Sequence, residues 1–146
     1  MNKIITILLL AACSSFTNWH YNLDEARQIA HKEHKYILLN FSGSDWCGPC
    51  ICMHKEIFES QSFSHFAESS LIMVNADFPR NKNNQLPAKQ QDLNNAMADA
   101  YNDKGIFPYT VLLNDQGKAL RSWEGFPNTG TDKFIADIQT ALDADK

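Results

Sequence analysis

"SDWCGPCICMH", residues 44–54, places Cys47, Cys50 and Cys52 within six residues of a chain that has four cysteines in all. A metal site, a structural staple and a redox couple compete for such a cluster, and the flanking chain decides between them. Before it, "YILLNF", Tyr36–Phe41, is a continuous apolar run of strand formers whose lack of alternation predicts a strand covered on both faces. After it, the stretch from Pro49 to Glu59 carries Met53, Ile57 and Phe58 at helical spacing. A C-x-x-C between a buried strand and the start of a helix is the pattern of a redox dithiol. At the helix N-terminus the free N–H groups and the dipole favour a thiolate on Cys47, while Cys50, one turn inside, is within disulfide reach but shielded. Cys47 is then the attacking thiol and Cys50 the resolving one. Cys52 is turned about 200° around the helix from Cys50 and reads as a bystander, or as an auxiliary thiol that engages partners.

Working outward, "LDEARQIAHKEHK" has Leu23, Ala26, Ile29 and Ala30 at helical spacing, with Asp24 and Glu25 at the end where carboxylates favour the dipole. "QSFSHFAES" adds a helical turn or two, and "LIMVNAD", Leu71–Asp77, reads as a second buried strand. "FPRNKNNQLP", bracketed by Pro79 and Pro87, is a surface loop. A helix is predicted from about Ala88 to Asp103, with Leu93, Met97 and Tyr101 on one face. "YTVLLNDQGKALRSW" is a hairpin with strands Thr110–Leu113 and Ala119–Trp123 about a turn at Asn114–Gly117. A last helix begins at Thr131 or Asp132 and carries Phe134, Ile135, Ile138 and Leu142. This order predicts an α/β fold, a mixed central sheet with helices on both faces.

At 146 residues and 44% hydrophobic, the chain is the size of one domain with one core. Its 13 Lys plus Arg against 17 Asp plus Glu give a net charge of -4 without a basic run, which argues against nucleic acid as a partner. "MNKIITILLLAAC" has Lys3, an apolar run from Ile4 to Leu10, and small Ala11 and Ala12, the parts of an export signal. The run is too short to span a bilayer as a helix. "LAAC", Leu10–Cys13, resembles the bacterial lipoprotein lipobox, which implies acylation of Cys13 and a membrane anchor. The other reading is an ordinary signal cut nearby, for instance after Ser14, with Cys13 discarded. Either one sends the protein out of the cytoplasm.

"WCGPC", Trp46–Cys50, is the active-site sequence of the thioredoxin superfamily, which the chain resembles from about Trp19 to Leu142. "GIFPYTVLLNDQGK", Gly105–Lys118, is similar to that family's cis-proline segment and hairpin, and maps Pro108 onto the cis-proline. "FSGSDWCGPC" with "KEIF" behind it is similar to bacterial exported thioredoxin-like proteins, a branch with domains that act in periplasmic disulfide reduction. The resemblance implies a thioredoxin fold laid out as export signal (1–12, ending at the lipobox Cys13), tether and minor strand (13–22) and thioredoxin-like domain (23–146). It also implies that Trp46 shields the dithiol, that Gly48 and Pro49 set the turn, and that the backbone beside Pro108 bonds an incoming substrate strand. Taken singly, Trp46 reads as core filler, Pro49 as a helix-start proline and Pro108 as a strand-edge proline. One position departs from the family: Asn40 stands where a buried Asp usually accepts the second cysteine's proton, and an amide cannot take a proton at physiological pH. A carboxylate such as Asp45, acting through water, is one substitute.

The expected function is an exported thiol–disulfide oxidoreductase working on protein thiols and disulfides with a redox partner protein and no bound cofactor; the resemblance implies a reductase, since Gly-Pro is the dipeptide of the family's reducing members. One alternative is a Cu(I) or zinc carrier using Cys47, Cys50 and His54, a set short of the four protein ligands that structural zinc normally takes. The other is a binding module that keeps the fold with a vestigial dithiol. The remaining histidines, His20, His31, His34 and His65, read as solvated.

Overall fold

The structure is a computed structural model that describes residues 17–146. The expected export signal (1–12) and the expected lipidation site Cys13 lie outside the described residues. Five strands form one sheet in the order β1-β3-β2-β4-β5: Trp19–His20 (β1), Tyr36–Ser42 (β2), Leu71–Asp77 (β3), Tyr109–Leu113 (β4) and Ala119–Glu124 (β5). β1 and β2 flank β3 in parallel, whereas β4 runs antiparallel to β2, and β5 antiparallel to β4. The helices are Leu23–Glu33 (α1), Gly48–Met53 (α2), Gln61–Ser70 (α3), Ala88–Tyr101 (α4) and Thr131–Ala144 (α5).

Alternation along β2 sorts its side chains between two cores. Ile37, Leu39 and Phe41 pack with Ala26 and Ala30 of α1 and Met97 of α4. Leu38 points the other way, into a core with Met53, Phe58, Phe63, Phe134 and Ile138. Phe41, Phe58, Phe63 and Phe134 are all at most 1% exposed, and burial of each contributes on the order of 2 kcal/mol. Both faces of β2 are covered, which is why its sequence does not alternate.

α1 is capped at its start by Asn22, whose side chain accepts from the amides of Asp24 and Glu25, and ends at His34 in the left-handed conformation (φ 55°). The expected single helix from Pro49 to Glu59 is instead α2 followed by one π-helical turn, His54–Phe58. That turn seats both Ile57 and Phe58, successive residues, in the core at 1% exposure. Among the described residues no helix is long and apolar enough to cross a membrane.

Candidate active site

β2, the central strand, ends at Ser42, and beyond its C-terminal end Cys47 becomes the N-cap of α2 in extended conformation. Its amide donates to the Gly43 carbonyl (2.9 Å), and its Sγ accepts the Cys50 amide (3.3 Å). Pro49 lies in the first turn, where the absent N–H costs no hydrogen bond. Cys47 and Cys50 form a disulfide with their Cα atoms 5.2 Å apart. The expected contrast between an open Cys47 and a shielded Cys50 is absent, since the residues are 4% and 5% exposed. Sγ of Cys47 is folded back onto the first turn of α2, so the dithiol covers itself. The asymmetry lies in the surroundings: Cys50, and not Cys47, lines a cavity of about 230 Å³. A larger groove of about 430 Å³ lies along β1, and no motif residue lines it.

Trp46 is held from four sides. Its Nε1 donates to the Phe78 carbonyl (2.7 Å), the Arg80 guanidinium lies 3.6 Å over the ring, and Phe107 packs edge-on at 5.5 Å. Gly43 closes the fourth side, because a Cβ there would stand 2.2 Å from the indole Cε2. Phe107 is also the residue before Pro108, and the Phe107–Pro108 peptide bond is cis. Pro108 is buried. Buried Asn102 fixes the approach to this bond, donating to the Ile106 carbonyl and accepting from the Ile106 amide. The Trp46–Phe107 contact thus brings the two motifs together across about 60 residues of sequence.

Asn40 lies on the α2 side of β2, 5% exposed, with its Nδ2 donating to Asn75 Oδ1 (3.0 Å) and its Oδ1 accepting from Thr110 Oγ1 (3.2 Å). Both asparagines line the cavity beside Cys50. Asn75 and Thr110 were not signalled by any motif, yet "YILLNFS" and "LIMVNAD" pair position for position, with Asn40 opposite Asn75. A polar residue at the fifth place of each buried strand was the available signal.

Asp45 is committed to the loop after β3. Its carboxylate accepts from the amides of Arg80 and Asn81 (2.9 Å each) and from Asn84 Nδ2 (3.0 Å), binding the loop after β3. These hydrogen bonds, the Arg80 amide first, hold its pKa below the ordinary carboxylate value. Cys52 is a free, exposed thiol. His54 pairs with Glu59 (Nε2 to Oε1 3.3 Å), and among the described residues no three His, Cys, Asp or Glu side chains are grouped to hold a metal ion. His31, expected to be merely solvated, meets Asp115 Oδ2 at 2.7 Å.

The model of the thioredoxin-like domain family matches residues 23–136. The chain belongs to the thioredoxin-like family. The disulfide bond reductase DsbH of Chlamydia pneumoniae is 39% identical over 118 residues, which cover 81% of this chain and 69% of that protein. The thioredoxin-related protein DsbJ of the same organism is 28% identical over 110 residues, 75% of this chain but 31% of its own length. A solved DsbH oxidoreductase superposes with a TM-score of 0.80 at 34% identity, covering 98% of this chain and 94% of that one. The mixed five-stranded sheet is accordingly a thioredoxin fold, and the protein is a thiol–disulfide oxidoreductase whose disulfide-capable pair is Cys47–Cys50.

Proposed function

We propose that this thioredoxin-like oxidoreductase reduces protein disulfides outside the cytoplasm, with Cys47 as the nucleophile and Cys50 as the resolving thiol. The supporting observation is the placement of Cys47 Sγ at the head of α2, disulfide-bonded to Cys50 and facing the Cys50 amide. The Cys47 thiolate attacks a substrate disulfide and forms a mixed disulfide. Cys50 then attacks Cys47 Sγ, and the substrate leaves as a dithiol. A reduced protein partner returns two electrons by the reverse exchange, so the cycle requires no bound cofactor.

Trp46 covers the dithiol, Gly48 and Pro49 shape the turn, and the segment at Pro108 receives the substrate strand. The Pro108 carbonyl already accepts from the Gly125 amide (2.8 Å), so docking falls to the backbone of Phe107. The reducing direction is supported by the Gly48-Pro49 dipeptide and by the reductase name of the DsbH relative. Export rests on the segment Lys3–Ala12, with residues 1–12 as signal, 13–22 as tether and minor strand, and 23–146 as the thioredoxin-like domain. The lipobox-like Leu10–Cys13 supports a lipid anchor at Cys13 on the envelope side of a membrane.

Trapping tests the reading. In Cys50→Ser the mixed disulfide has no resolving thiol, so partner proteins should accumulate as reducible adducts mapped to Cys47. Adducts that persist when Cys47 is also replaced by Ser would come from Cys52 and would count against the assignment.

A further inference from the structure

Resolution of the mixed disulfide requires the Cys50 thiol to lose its proton inside a nearly closed environment, and the neighbouring strand position, Asn40, cannot take it. The cavity beside Cys50 shows what can. Its strand side is walled by amides and hydroxyls, with Asn40 and Asn75 held to each other. Among its lining residues only Cys50, His54, Lys55 and Glu59 titrate. Lysine is already protonated at neutral pH and accepts nothing. Two further carboxylates lie outside the lining, and both are occupied. Asp77, behind the wall, accepts from the Ser42 hydroxyl and from the amide and hydroxyl of Ser44, and Asp45 is bound by the loop after β3.

His54 and Glu59 remain, and the backbone is built to pair them. His54 lies four residues after Cys50 with its amide bonded to the Cys50 carbonyl, so the two side chains share one helix face. In an α-helix, residues five apart would diverge by about 140°. Here the π turn closes a bond from the Glu59 amide to the His54 carbonyl (2.9 Å), which returns residue 59 to the side of residue 54. The result is the 3.3 Å approach of Glu59 Oε1 to His54 Nε2. Trp19 of β1 and Phe58 pack against the imidazole at 6.0 and 6.4 Å between ring centres and bring no charge to it. The ring is half exposed and open to bulk water.

We infer that His54, backed by Glu59, receives the Cys50 proton through water in this cavity during resolution; this rests on the proposed roles of Cys47 and Cys50. A cavity of about 230 Å³ bordered by Asn40, Ser42, Asn75 and His54 has both room and hydrogen-bonding partners for such water. The proton passes to the imidazole, and the Cys50 electron pair attacks Cys47 Sγ. The Sγ–Sγ bond forms, and the bond from Cys47 to the substrate sulfur breaks. That sulfur leaves as a thiolate and is protonated from solvent or from the imidazolium. The dithiol is oxidised by two electrons, and the substrate disulfide is reduced by two. His54 acts through water and is a positioning residue for the proton. Imidazole suits the task because its neutral ring carries one nitrogen that accepts a proton and one that donates.

The test is a single turnover of the reduced full-length protein with a peptide that contains one internal disulfide, quenched in acid and mapped by mass. In His54→Gln the Cys47–peptide adduct should form at the wild-type rate but resolve at least about tenfold more slowly near neutrality. The wild-type resolution rate should rise with pH over the range in which an imidazole loses its proton, and His54→Gln should lack that rise. In His54→Ala, free imidazole in the buffer should restore the rate. Resolution by both variants at the wild-type rate, with the same pH profile, overturns the inference. Absence of any Cys47 adduct in Cys50→Ser overturns instead the dithiol reading beneath it.

Discussion

Asn40 shows how much one atom type changes at a buried site. Its Nδ2 donates to Asn75 Oδ1 and its Oδ1 accepts from Thr110, so the amide is satisfied on both sides without charge. Asn40→Asp replaces the donor with a second acceptor and sets a carboxylate against Asn75 Oδ1, unless Asn75 turns its amide over. Desolvation then raises the carboxyl pKa in the folded state, so the native protein holds a proton that the unfolded chain has released. The linkage sign follows: the variant keeps most of its stability below the ordinary carboxylate range and loses it as pH rises through the elevated folded value. Denaturant titrations should show a loss of about 1–3 kcal/mol at neutral pH that shrinks toward pH 4. Turnover of a small disulfide should rise, because a carboxyl group in that place can exchange the Cys50 proton directly. An unchanged rate would mean that proton transfer at Cys50 does not limit the cycle.

At the scale of elements, the loop after β3 is fastened to the motif by Asp45 and roofs Trp46 with Arg80. The lowered pKa of Asp45 means that its contribution is present above the unfolded carboxylate value and lost as pH falls through the lower folded one. Asp45→Asn should therefore speed hydrogen exchange at the Arg80 and Asn81 amides at neutral pH, and the gap from wild type should close in acid. Unaltered protection of those two amides would show that the loop holds itself. None of this was legible in the sequence, because Asp45 and its partners are 35 to 39 residues apart. Tyr36–Ser42 and Leu71–Asp77 were legible because a strand buried on both faces writes an apolar run. The dithiol was legible because its chemistry depends on local spacing. The break of the second helix into α2 and a π turn was not, since Met53, Ile57 and Phe58 suit an α-helix equally well and only the packing of Ile57 and Phe58 into one core selects the wider turn.

For the whole molecule, strand direction determines which end an anchor would hold. β1 runs parallel to β3 and β2, with Trp19 opposite Met73, while the dithiol follows the C-terminal end of β2, where Ser42 pairs with Asp77. Four residues of strand, about 13 Å, separate those levels, and the chain enters β1 from the opposite end. From Cys13 to Trp19 there are six Cα steps, a reach of at most about 20 Å. An acylated Cys13 would thus attach the domain through the end of the sheet opposite the dithiol. Acyl chains contribute on the order of 0.8 kcal/mol per buried methylene, so more than one chain would hold the domain firmly. Wild-type protein should partition with membranes, and Cys13→Ala should release it or block its maturation. With the attachment at the end opposite the dithiol, vesicle-bound and released forms should reduce a soluble disulfide peptide within about twofold of each other, since a single tether leaves the fold unchanged. Recovery of unmodified wild type in the soluble exported fraction, with an N-terminus beyond Cys13, would remove the anchor. A strongly suppressed rate on vesicles would reverse the orientation.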